Sequence, residues 1–132
     1  MTAYLRISRD FQNVYQRGKR YDGVLITAFV LPNKLARNRF GITASRKALG
    51  NAVQRNRAKR LLRDTFRLRE SVLTGLQEKY DWVLNAKRKL PSLKVTAAIE
   101  DFENLVARVA KEESKTRLAG SKVSEVITNR IS

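Results

Sequence analysis

The sequence predicts an α+β fold, a small and mostly antiparallel sheet packed with helices in the order α-β-β-α-β-α. Three observations predict it. Apolar residues recur at helical spacing in three separate segments. Two runs rich in β-branched and aromatic residues flank a Pro-Asn turn, and a third such run stands between the second and third helical segments. A length of 132 residues allows one domain with a modest core.

The first helix is read from SRDFQNVYQRG, where Ser8 precedes Phe11, Val14 and Tyr15 at three-four spacing and Gly18 marks the stop. VLITAFVL (24–31) and RNRFGITAS (37–45) read as strands. The PNKLA between them signals a turn, so an antiparallel pair is expected. GNAVQRNRAKR (50–60) with the LLRDTFR after it reads as the central helix, and YDWVLNA (80–86) reads as the third strand. Pro91 and Ser92 break the chain before a last helix carrying Val95, Ile99, Phe102, Val106 and Val109, which is expected to pack on the sheet. Domain organisation is expected to be 1–110 as the folded unit and 111–132 as a polar appendage, because ESKTRLAGSK offers little apolar surface to offset its ordering entropy. Val123, Val126, Ile127 and Ile131 leave room for a short amphipathic stretch within it.

Charge narrows the function. Lys and Arg total 28 against 12 Asp and Glu, a formal net charge of +16, which points to a polyanionic partner. No apolar run approaches the roughly 20 residues that span a bilayer, and the N-terminus lacks a signal-type apolar core. A cytoplasmic protein, monomeric when free and without a membrane partner, is expected. The absence of Cys and His removes disulfides, thiolate or imidazole metal sites and a histidine general base.

The central helix holds the sharpest signal. At about 100° per residue, Ala58, Leu61, Thr65 and Leu68 fall on one side, while Arg55, Asn56, Lys59, Arg60, Arg63 and Arg67 share the opposite arc. Leu62 falls at the boundary, Phe66 lands among the basic residues, and Arg57 lands near the edge of the apolar side. From Lys34 to Arg69 there are 12 basic residues and one acidic residue, Asp64. Arg55/Lys59, Lys59/Arg63 and Arg63/Arg67 are like-charged i,i+4 pairs, each unfavourable by a few tenths of a kcal/mol, roughly, until an anion arrives. A solubilising surface would mix signs. The excess of planar guanidinium groups suits bidentate phosphate contact.

The stretch FGITASRKALGNAVQRNRAKRLLRDTFR resembles the signature region of the bacterial ribonuclease P protein subunit, with its Gly-Asn-Ala-Val segment, Arg-Asn-Arg motif and Lys-Arg pair. DFQNVYQRGKR and YDWVLNAKRK sit where that family has its first helix and last strand, so the resemblance covers roughly 4–110. It implies that Asn51, Arg55, Asn56, Arg57, Lys59, Arg60 and Arg63 pack against the catalytic RNA, together with the adjoining Ser45, Arg46 and Lys47. It implies that a cleft between the sheet and the first and last helices holds the 5′ leader of precursor tRNA, with Phe11, Tyr15 and Phe29 at its aromatic positions. It also implies a short extra strand near Lys19 to Tyr21 and a left-handed crossover around the central helix. The partners are then ribonuclease P RNA and precursor tRNA, with Mg²⁺ held mainly by the RNA that performs the hydrolysis and no catalytic residue on the protein.

Other readings stay open at this level. Phe11 and Tyr15, one helical turn apart, have the spacing of ordinary core residues as well as of a base-stacking platform flanked by Arg9, Arg17 and Lys19. Glu100, Asp101 and Glu103 are the clearest carboxylate cluster, yet early in a helix such residues are favoured by its dipole. A non-enzymatic RNA-binding protein, ribosomal or chaperone-like, fits the same charge and fold. A helix-turn-helix DNA reader fits less well, because no short helix is predicted beside the basic one.

Overall fold

In the computed structural model, which describes residues 3–5 and 7–131, the chain forms a five-stranded sheet and four α-helices. They run β1 (Ala3–Tyr4), α1 (Ser8–Arg17), β2 (Lys19–Asp22), β3 (Ile26–Pro32), β4 (Arg39–Thr43), α2 (Arg46–Leu49), α3 (Ala52–Leu68), β5 (Tyr80–Ala86) and α4 (Val95–Ile131), with 3₁₀ segments at Glu70–Gly75 and Leu90–Ser92. The α+β class and the extra strand at Lys19–Asp22 are as expected. The two-residue β1 and the one-turn α2 are additions. Side chains of α4 are described as far as Thr116, so the amphipathic stretch expected of Val123, Val126, Ile127 and Ile131 lies outside the described side chains.

The sheet order is β1-β4-β5-β3-β2, and this corrects the expected pairing of 24–31 with 37–45. β5 inserts between them, antiparallel to β3 and parallel to β4. Every residue of β5 except Asn85 is buried, and a strand buried on both faces takes the centre, where both its edges are paired. A turn does follow Pro32: Asn33 Oδ1 accepts from the Leu35 amide at 2.8 Å, and Lys34 has φ 56°. Instead of closing a hairpin, the turn hands both flanking segments to β5. Asn33 Nδ2 donates to Asp81 Oδ1 at 2.9 Å, and Arg39 meets the same carboxylate through Nε at 2.8 Å and Nη2 at 2.6 Å. β4 and β5, parallel neighbours, are joined across α3.

Helices cover both faces. On one, Phe66 of α3 stacks on Phe40 of β4 at 4.1 Å and meets Phe102 of α4 at 5.5 Å, while Trp82 and Leu84 of β5 complete the main core. On the other, Val14 of α1 joins Leu5 and Val83, with Phe11, Phe29 and Leu31 packed against them. Gly18 ends α1 in an extended conformation at φ −78°. The glycine is needed there for space, since a Cβ would lie 2.5 Å from the Val14 carbonyl oxygen and 3.0 Å from that of Val30.

Candidate nucleic-acid interface

The basic surface starts at two helix N-termini in succession. Ser45 caps α2 by accepting from the Ala48 amide at 3.1 Å, and Asn51 caps α3 by accepting from the Gln54 amide at 2.9 Å. Gly50 joins them at φ 77°, a left-handed conformation that a side chain would strain. The short helix beside the basic one was not expected. Ser45 as cap and Gly50 as stop around RKAL are its signature, hidden because four residues fall below the usual helix length. A single turn does not supply the first helix of a helix-turn-helix reader.

Along α3 the buried stripe is Ala58, Leu61, Leu62, Thr65 and Phe66, rotated from the expected one. Leu68, expected to face the sheet, is 54% exposed, and Phe66, expected among the arginines, is fully buried. The aromatic stack with Phe40 and Phe102 sets this rotation, because burying Phe66 gains more than burying Leu68 at the frayed end. Asn56, Arg60 and Arg67 are therefore fully presented, whereas Arg55, Lys59 and Arg63 lie half-buried at the margin. The Arg55 Nε is buried without a hydrogen-bond partner among the described residues. Arg57, placed by the wheel near the apolar edge, is exposed but spends its Nε on the Pro91 carbonyl. Arg46 and Lys47 are exposed on α2, and Lys47 shares a groove of about 470 Å³ with Gln54, Pro91 and Arg88. Arg88 was not singled out from sequence; the KRK run after β5 was the available signal.

The three aromatics come together on the opposite face of the sheet. Tyr15 meets Phe29 edge to face at 4.8 Å, and the Arg20 guanidinium lies 5.9 Å from the Phe29 ring. Tyr15 is 38% exposed, whereas Phe11 and Phe29 are half-buried, so Phe11 is a packing residue first. Among the described residues α4 packs on the other face, with Phe102, Leu105, Val106 and Val109 in the main core, so the expected cleft between the sheet and both terminal helices is not seen there. These aromatics lie between α1 and the strands, Phe11 and Phe29 packed against Leu5, Val14 and Val83. Asp22 is held below the ordinary carboxylate range, first by the Thr27 hydroxyl and then by Arg20.

Two of the three clustered carboxylates, Asp101 and Glu103, are spent on structure, while Glu100 is exposed. Asp101 accepts from the amides of Val24, Leu25 and Ile26, each at 2.9 Å, and Glu103 accepts from Arg69 Nε at 2.8 Å. Among the described residues no group of three or more Asp and Glu is placed to hold a metal. A second concavity, of about 420 Å³ between β2, β5 and α4, contains Glu112 and Glu113, but these bind Lys19 at 2.8 Å and the Tyr80 hydroxyl respectively.

Fold and surface define a class: a small basic α+β protein that presents an arginine-lined helix on one side of its sheet and an aromatic cluster under α1 on the other. Residues 2–110 match the family model described as Ribonuclease P. The chain is 35% identical over 113 residues to the ribonuclease P protein component of Caldanaerobacter subterraneus subsp. tengcongensis, covering 86% of this chain and 94% of that one. Against that of Pelotomaculum thermopropionicum it is 38% identical over 104 residues, covering 79% and 89%. The solved RNase P protein of Thermotoga maritima superposes with a TM-score of 0.68 at 28% identity, covering 80% of this chain and 96% of that one. The Staphylococcus aureus RNase P protein gives 0.68 at 25% identity, covering 80% and 94%. The chain belongs to the ribonuclease P protein family.

Proposed function

We propose that the protein assembles with a ribonuclease P RNA through the α2–α3 surface, receives the 5′ leader of precursor tRNA on the α1 face of the sheet, and so assists 5′ maturation. The observation that carries this reading is the one-signed face of α3. Asn56, Arg60 and Arg67 are exposed and Arg55, Lys59 and Arg63 flank them, with Asp64 the only acidic residue from Lys34 to Arg69. Arginine contacts to RNA phosphates release counterions, so association is expected to weaken steeply with salt. Arg46, Lys47 and Asn51 extend the surface, Asn51 chiefly by capping α3. Hydrolysis is assigned to the RNA, with Mg²⁺ held mainly there, because Asp101 and Glu103 already bind the β2–β3 loop and Arg69, which leaves Glu100 as a lone carboxylate of the cluster. Without His or Cys, the protein has no imidazole or thiolate to offer.

Reconstitution tests this. Mixed with a bacterial ribonuclease P RNA and precursor tRNA at low Mg²⁺, the protein is expected to raise correct 5′ cleavage well above that of RNA alone. No gain over RNA alone would refute the assignment and favour a non-enzymatic RNA-binding role.

A further inference from the structure

A row of polar residues crosses four strands at one end of the sheet. The register sets Asp22 opposite Thr27, Thr27 opposite Asn85 and Asn85 opposite Thr43. Side-chain alternation puts this row on the same face as its neighbour two residues away, Arg20, Phe29, Val83 and Gly41. Helix α1 covers the neighbouring row, with Phe11 against Gly41 and Tyr15 against Phe29. From α1, the Tyr15 hydroxyl reaches the polar row, donating to Asn85 Oδ1 at 2.9 Å. The Thr43 hydroxyl donates to the same oxygen at 2.5 Å.

Asn85 is the one residue of β5 that is not fully buried. An asparagine is a poor strand former, so its presence in the central strand calls for a use. Two donors occupy its oxygen and thereby fix the plane of the carboxamide. Its Nδ2 has no partner among the described residues. Beside this oriented donor stand the Tyr15–Phe29 pair and Arg20, the elements of a stacking platform for an unpaired base. The strand of Asn85 and the neighbouring β4 both lead to cations: β5 ends at Ala86 before Lys87 and Arg88, and β4 ends at Thr43, three residues ahead of Arg46 and Lys47.

We infer that Asn85 is a specificity-determining residue of the RNA-binding α1 face, its amide nitrogen donating to an acceptor on the edge of an unpaired base held beside Tyr15 and Phe29. This rests on the reading that this face receives the leader. With its oxygen occupied, Asn85 does not make the paired donor-and-acceptor contact that asparagine makes with adenine. A lone donor selects an acceptor. Guanine and uracil carry a carbonyl oxygen at the edge position where adenine and cytosine carry an amino donor, so a base that turns that edge to Asn85 Nδ2 is favoured at one leader position when it is a keto base.

The test uses the reconstituted ribonucleoprotein and precursor tRNAs bearing each of the four bases at each leader position, with leaderless tRNA alongside. Expected is a preference for guanine and uracil of roughly three- to tenfold in affinity at one position, the discrimination that a single neutral hydrogen bond supports. Asn85→Ala should flatten it. Asn85→Asp keeps the acceptor for Tyr15 and Thr43 but removes the donor, and should flatten or invert it. Both variants are first shown to be folded by circular dichroism and to bind the catalytic RNA. A wild-type complex with no keto preference at any position, or variants that lower all four affinities by one common factor, would overturn the role of Asn85. Equal affinity for leader-bearing and leaderless substrates would overturn the leader reading itself.

Discussion

Arg57 and Arg60 stand one turn apart on α3, yet they have different surroundings. Arg60 is exposed with its guanidinium unengaged by any described residue, whereas Arg57 donates through Nε to the Pro91 carbonyl and so ties α3 to the Leu90–Ser92 segment. Arg60→Ala is therefore expected to cut the salt dependence of RNA association by about one unit of slope, the loss of one phosphate contact, with the melting temperature unchanged. Arg57→Ala is expected to lower the melting temperature as well, since a part-buried carbonyl loses a charged donor worth about 1.5 to 3 kcal/mol. Salt titrations of binding beside thermal melts check both. Equal melting temperatures for the two variants would show that the Pro91 bond contributes nothing to stability. Periodicity placed Arg60 correctly. It left Arg57 ambiguous, because the partner that resolves it is far away in the chain, and backbone carbonyls leave no mark in a sequence.

Elements read well from the sequence where their determinants are local, and poorly where they are not. Gly18 marked the end of α1, although Ser8, read as its cap, is the first helical residue and Ile7 holds the cap position without a side-chain bond. Runs rich in β-branched and aromatic residues located β3, β4 and β5 within a few residues. The order of strands depends on which one is most buried, a competition among β3, β4 and β5 that no single segment expresses. The same holds for α3, whose rotation was misread by about one side chain because Phe66 answers to Phe40 and Phe102. The assignment of Phe11, Tyr15 and Phe29 to a binding surface rests on family resemblance, while Asn85 stood in plain view as a polar residue in an apolar strand. How α1 sits on the sheet depends on Gly41, where a Cβ would lie 2.7 Å from Phe11 Cε1 and 3.2 Å from Leu5 Cβ. Gly41→Ala is expected to push Phe11 and α1 off the strands at a cost of about 1 to 3 kcal/mol, as overpacking does. The same displacement should weaken substrate binding while leaving affinity for the catalytic RNA unchanged, since α3 packs on the other face. Urea unfolding and separate binding titrations for the two RNAs measure this. A variant as stable as the parent would mean that α1 is not seated on Gly41.

At the scale of the molecule, a chain carrying +16 must hold its last helix against a body that repels further positive charge. It does so with carboxylates beyond the expected domain limit of 110. Glu112 pairs with Lys19 at 2.8 Å, which holds its carboxyl below the ordinary range, and Glu113 accepts from the Gln77 amide at 2.9 Å and the Glu78 amide at 3.2 Å. Glu113 also accepts from the Tyr80 hydroxyl, whose pKa is raised, mainly by burial and then by Glu113, so the phenol remains a donor well into the alkaline range. The first turn after 110 therefore fastens the loop before β5 and the start of β5 to α4, a role that a polar composition concealed. Truncation separates the two boundaries. A chain ending at Thr116 keeps these bonds, while one ending at Ala110 leaves two backbone amides and a part-buried phenol without their acceptor, at about 1 to 3 kcal/mol for each group that stays dry. The shorter form is expected to melt several degrees below the longer one, and Glu113→Ala in the full chain should reproduce most of the difference. Differential scanning calorimetry on the three proteins decides it: equal melting temperatures at 110 and 116 would place the structural boundary where composition alone puts it.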